Sequence, residues 1–102
     1  MARRPTVQVS LEEIRQVYQA LEIWDKIRDG RLESEEIPST RVSSHAWPGG
    51  TSVLLRHRNS AGLQVATTHR IYFPTGDTPY WTEKDLLVGD IVLYRPDVKP
   101  RS

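Results

Sequence analysis

Asn59-Ser60-Ala61-Gly62 lies between two β-rich runs, Ser52–Arg58 and Leu63–Tyr72. No other stretch constrains the fold as strongly. Asn59 suits the first position of a type I turn, and Gly62 suits the left-handed residue that follows it. Together they predict a hairpin whose three-residue loop ends in a glycine bulge. That loop pairs Asn59 with Leu63 and Arg58 with Gln64. Continued without interruption, it pairs His57 with Val65 and Val53 with His69.

This register sorts the side chains into two faces, because successive residues of a strand point to opposite sides. Val53, Leu55, His57, Leu63, Val65, Thr67, His69 and Ile71 form an apolar face meant for the core. Leu54, Arg56, Arg58, Gln64, Ala66, Thr68, Arg70 and Tyr72 form a wet, basic one.

The best helix signal is Ser10 to Gly30. Ser10 and Glu13 have capping-box spacing, and Glu12 and Glu13 suit the positive end of the helix dipole. Leu11, Ile14, Val17, Tyr18, Leu21, Trp24 and Ile27 recur every three or four residues as one apolar stripe. Gly30 ends the pattern, with Lys26 and Arg28 in the last turn. A short sheet cannot cover itself, so this stripe is expected to pack on its apolar face.

The other segments follow from local chemistry. Residues 1–9 read as a flexible arm carrying Arg3 and Arg4, in which Val7 and Val9 can add an edge strand. The acidic run Glu33, Glu35 and Glu36 reads as a solvated loop. Trp47-Pro48-Gly49-Gly50 marks a sharp turn, and Phe73 to Pro79 another. Tyr80–Glu83, Asp85–Val88 and Ile91–Arg95 read as strand material, with Gly89-Asp90 as a tight hairpin turn. Residues 10–96 then form one α+β domain, followed by a short tail over 97–102. Its architecture is one N-terminal amphipathic helix packed on a curled antiparallel sheet of about four to five strands.

Composition removes several function classes. Cysteine is absent from the 102 residues, which excludes disulfides, zinc–thiolate sites and thiol nucleophiles. No apolar run is long enough to span a membrane, and the first residues lack the apolar core of a signal peptide. The expected location is therefore the cytoplasm. Phosphate-loop, dinucleotide-binding, zincin, nucleophile-elbow and EF-hand patterns are missing, and no cofactor is expected. His57 and His69 stand about 13 Å apart in the predicted register, too far to share a metal ion.

Three readings of function remain. In the first, the chain is a non-enzymatic binding module. Its basic face of Arg56, Arg58, Gln64, Thr68, Arg70 and Tyr72 contacts single-stranded nucleic acid, with cations on phosphates and the ring on a base. In the second it is a protein-interaction or inhibitor module of antitoxin-like or phage type. The surplus aromatics Trp24, Trp47, Trp81, Tyr80 and Tyr94 motivate that reading, since exposed tryptophan and tyrosine mark hot spots. A free sheet edge would also allow a homodimer. The third is a small metal-free ribonuclease using His57 and His69 as base and acid, which needs a histidine on the arginine face.

Overall fold

A computed structural model describes residues 4–45 and 47–97. Two helices lie against a seven-stranded sheet in the order β1-β7-β6-β5-β4-β2, and β3 also pairs with β4. The strands are β1 (Thr6–Gln8), β2 (Glu33–Glu36), β3 (Val42–Ser43), β4 (Thr51–Arg58), β5 (Gln64–Tyr72), β6 (Tyr80–Val88) and β7 (Ile91–Tyr94). The class is α+β, and the sheet is open rather than closed into a barrel. The extra strands come from segments with little strand signal of their own.

Residues 6–8, expected in a flexible arm, form β1 and pair in parallel with β7, Val7 opposite Leu93. Arg4 reaches Asp90 at 3.4 Å. Arg3 and most of the predicted tail, residues 98–102, lie outside the described residues. The acidic run is β2 rather than a loop. It sets Glu33 opposite Arg58 and Glu35 opposite Arg56, so cross-strand charge pairing holds a sequence of poor strand propensity in the sheet.

The predicted single helix is two, α1 (Leu11–Ala20) and α2 (Ile23–Arg28). The capping box forms as expected: the Glu13 amide donates to Ser10 Oγ at 3.1 Å, and the Ser10 amide to Glu13 Oε1 at 3.0 Å. The break falls at Glu22, which takes the left-handed conformation at φ 54°. A continuous helix would keep Leu21 on the apolar stripe and turn Ile23 away. The break reverses this, exposing Leu21 and burying Ile23. A left-handed L-residue costs about 1–2 kcal/mol, against about 0.5–1 kcal/mol for the extra freedom glycine loses on folding. Glu22→Gly is therefore expected to leave stability unchanged or raise it by up to about 1.5 kcal/mol. A lower urea midpoint would refute this account of the break.

The β4–β5 turn forms as predicted. The Asn59 amide donates to the Leu63 carbonyl at 2.9 Å, Asn59 Oδ1 accepts from the Ala61 and Leu63 amides, and Gly62 has φ 81°. Arg58 pairs with Gln64, but His57 then pairs with Ala66, leaving Val65 as the extra residue of a bulge. The expected His57–Val65 and Val53–His69 pairs are replaced by His57–Ala66 and Leu54–His69. The bulge lets Ala66 and Val65 both pack on the core cluster under the helices. Beyond it every β5 side chain changes face. Buried Ile14, Tyr18, Ile23, Leu32, Ala66 and Leu86 form that cluster.

Candidate binding cleft

The flipped phase of β5 divides the predicted basic face. Arg70, Thr68 and Tyr72 now stand opposite Val53, Leu55 and Thr51, on the side of the sheet that carries the helices. Arg56 stays on the other side, opposite Thr67, and Gln64 bonds the Thr67 hydroxyl at 2.8 Å. The one-sided set of Arg56, Arg58 and Arg70 does not exist. Two of those arginines also face an acid: Glu35 lies 3.1 Å from Arg56 Nε and 3.8 Å from Arg58. The shorter contact is an ion pair without hydrogen-bond alignment, since Arg56 Nε has no hydrogen-bond partner among the described residues.

The histidines part in the same way. His57 is fully buried, with Nδ1 at 2.7 Å from Ser34 Oγ and Nε2 at 2.7 Å from Thr68 Oγ1. Burial, with the Arg70 charge as a smaller cause, pushes its pKa down to about 4, so the ring is neutral at ordinary pH. His69 is half-buried on the opposite face, its Nε2 bonded to Ser52 Oγ. Burial and the charges of Lys84 and Arg95 lower its pKa. His69 therefore does share a face with Arg56, as ribonuclease chemistry requires of one histidine, but His57 does not. Rings on opposite sides of a sheet cannot serve as base and acid on one phosphate. Among the described residues, no group of three histidine or carboxylate side chains is placed to hold a metal ion.

Arg70 points to a different surface. Its guanidinium lies 3.7 Å from the centre of the Trp81 ring and also contacts the Tyr72 hydroxyl. Tyr72 in turn donates to Glu36 at 3.1 Å, and Glu36 accepts from Arg41 at 2.6 Å. That network fixes one face of Trp81. The Trp81 ring meets Trp24 edge to face, with centroids 5.9 Å apart and planes at 86°.

A cleft of about 550 Å³ opens here between the helices and β6. Arg15 of α1, Trp24, Ile27 and Arg28 of α2, and Tyr80, Trp81 and Glu83 of β6 line it. The size falls within the range of small-molecule sites, and the lining combines apolar walls with a few convergent polar groups. Trp24 and Ile27, on the apolar stripe seen in the sequence, face β6 from α2. A smaller cleft of about 340 Å³ on the far side of Trp24 shares Arg15, Trp24 and Glu83.

Glu83 sits at the junction with its side chain 8% exposed. Its Oε1 accepts from Arg15 Nε at 3.2 Å and its Oε2 from Trp24 Nε1 at 3.1 Å. The Glu83 carboxylate raises the Arg15 pKa further. Tyr80 is about half exposed at the mouth, and among the described residues Arg28 is tied only to Asp25, at 3.1 Å on the surface.

None of the residues predicted for binding lines this cleft; Arg70 comes nearest, stacked on Trp81. Trp24, Trp81 and Tyr80 stood out in the sequence as surplus aromatics, but nothing in their spacing placed them together. Neither family models, nor curated proteins, nor solved structures give a match to this chain.

Proposed function

We propose that this chain is a small binding module that takes an unpaired base of single-stranded nucleic acid in the cleft beside Trp24 and Trp81. The observation that carries the reading is the cleft itself, where three aromatic rings and two arginines converge. Unpaired bases stack on aromatic side chains, and arginines track the backbone phosphates. The charge arrangement favours an anion over a cation. A cation would seek the Glu83 carboxylate and the Trp81 face, and Arg15 and Arg70 already occupy those. Arg28 at the wall, largely exposed in its surface pair with Asp25, remains to meet phosphate.

Trp81→Ala is expected to weaken binding of a labelled single-stranded oligonucleotide about 5- to 150-fold, the effect of losing one stacked ring. Arg28→Ala should lower the salt slope by about one ion. Fluorescence anisotropy at low salt measures both. If no mixed-sequence oligonucleotide binds the parent chain, the reading fails, and the aromatic surface is left to a protein partner.

A further inference from the structure

We infer that β1 is a dimerisation edge whose partner is β1 of a second copy, paired antiparallel about a two-fold axis at Val7. The pairing with β7 decides which backbone groups are free. The Val92 amide donates to the Pro5 carbonyl and the Val9 amide to the Tyr94 carbonyl, both at 2.9 Å. Thr6 lies opposite Val92 and Gln8 opposite Tyr94. In a parallel ladder with those bonds, the Val7 amide and carbonyl turn toward β7, and those of Thr6 and Gln8 turn outward. No strand among the described residues pairs with that outer side. Two amides and two carbonyls therefore line the free edge. The two-fold axis sets Thr6 opposite Gln8 of the second copy, and Gln8 opposite its Thr6. Each is an antiparallel pair that exchanges two bonds, so all four outward groups of each copy find partners. Val7 meets its own counterpart in the pair between them. That pair carries no bonds and brings side chains closest, with Cα atoms about 4.5 Å apart. Val7 is 44% exposed, so the pairing covers a valine that otherwise faces water.

The chemistry of this edge admits a second copy, and that of the opposite edge does not. Thr6, Val7 and Gln8 carry no charge, and Arg4 beside them is held by Asp90 of its own chain at 3.4 Å. No like charges meet across the axis. At the other edge, the Ile37 amide donates to the Leu54 carbonyl, so the β2–β4 register turns the groups of Ser34 and Glu36 outward. The same symmetric pairing there sets Glu35 against its own copy. Like charges directly opposite destabilise a sheet, so β2 is guarded against self-pairing and β1 is not. Opposite residues of an antiparallel pair share a face. The helices of both copies, and the clefts beside them, therefore lie on one side of a continuous sheet.

Sedimentation equilibrium of the full chain over a concentration series tests the inference. It should show monomer and dimer with a dissociation constant of about 10 μM to 1 mM, the weak class expected of so short an edge. Val7→Lys sets two like charges against each other on the axis. It should weaken association at least about tenfold, with the urea midpoint of the dilute chain unchanged. Amide exchange on the parent chain gives a second readout that needs no variant. The outward amides of Thr6 and Gln8 should exchange more slowly as the chain is concentrated, and those of Ser34 and Glu36 should not. A chain that stays monomeric up to about 1 mM overturns the inference. So does a dimer that Val7→Lys leaves intact. Slowed exchange at Ser34 and Glu36 in place of Thr6 and Gln8 also overturns it, by moving the interface to β2.

Discussion

Tyr18→Ala is expected to cost about 3–5 kcal/mol, the range for removing a large buried ring. Tyr18 has no exposed surface, belongs to the core cluster, and lies 5.7 Å from the Trp24 ring centroid. Its hydroxyl sits between the carbonyl oxygens of Thr67, at 3.1 Å, and Asp85, at 2.6 Å, and donates to them. One side chain therefore ties α1 to β5 and β6 at the point where the bulges in both strands loosen the ladder. Small domains hold only about 5–15 kcal/mol in total, so the variant should be largely unfolded by mild denaturant. Tyr18→Phe separates the contributions. It keeps the ring and should lose about 1–3 kcal/mol for the buried carbonyls deprived of a donor. Urea melts of both variants check the pair. An alanine variant within about 1 kcal/mol of the parent would refute this role for Tyr18.

The second large effect is a loss of stability in mild acid, traced to His57. The unfolded ring takes up a proton near pH 6.5, and the folded ring only near pH 4. Between those values the unfolded chain binds more protons, so falling pH favours unfolding. The stability that the neutral buried ring provides is complete above about pH 6.5 and lost by about pH 4. At about 1.4 kcal/mol per pH unit, the loss is of order 3 kcal/mol. Glu36 and Glu13 have lowered pKa values and lose their contribution as pH falls through them. His69 shifts in the same direction as His57. The comparison that isolates His57 is therefore the parent chain against His57→Gln, melted at several pH values from 7 to 4. The gap between them should narrow in acid by about that amount. Parallel curves would show that His57 is not the group responsible.

The hairpin loop was legible because Asn59 and Gly62 form it from their own side chain and backbone, without help from elsewhere. The Ser10–Glu13 cap was legible for the same reason. The other features were not local. In Gln64-Val65-Ala66-Thr67-Thr68 either of two adjacent residues can face a core, so the pattern does not say which phase continues. The bulge is chosen by the helices, which accept both Val65 and Ala66. Glu33–Glu36 becomes a strand because Arg56 and Arg58 stand across from it, which only the pairing reveals. The break at Glu22 carries no glycine or proline. It follows from whether Leu21 or Ile23 is the better fit beneath α1, a question of packing rather than propensity. The cleft takes its residues from α1, α2 and β6, so they could be noticed one by one in the sequence but not assembled.

The parallel pairing of β1 with β7 has a consequence for how the chain reaches this state. Thr6–Gln8 is made before Val92–Tyr94 and finds no partner until that strand exists, because the sheet between them is built from the segments in between. Pairing segments so distant in sequence slows folding more than it alters final stability, since closure entropy grows only with the logarithm of the loop. A three-residue strand whose side chains all remain exposed cannot direct assembly. Its pairing covers the β7 edge, which without it would be a bare row of backbone donors and acceptors open to a neighbouring chain.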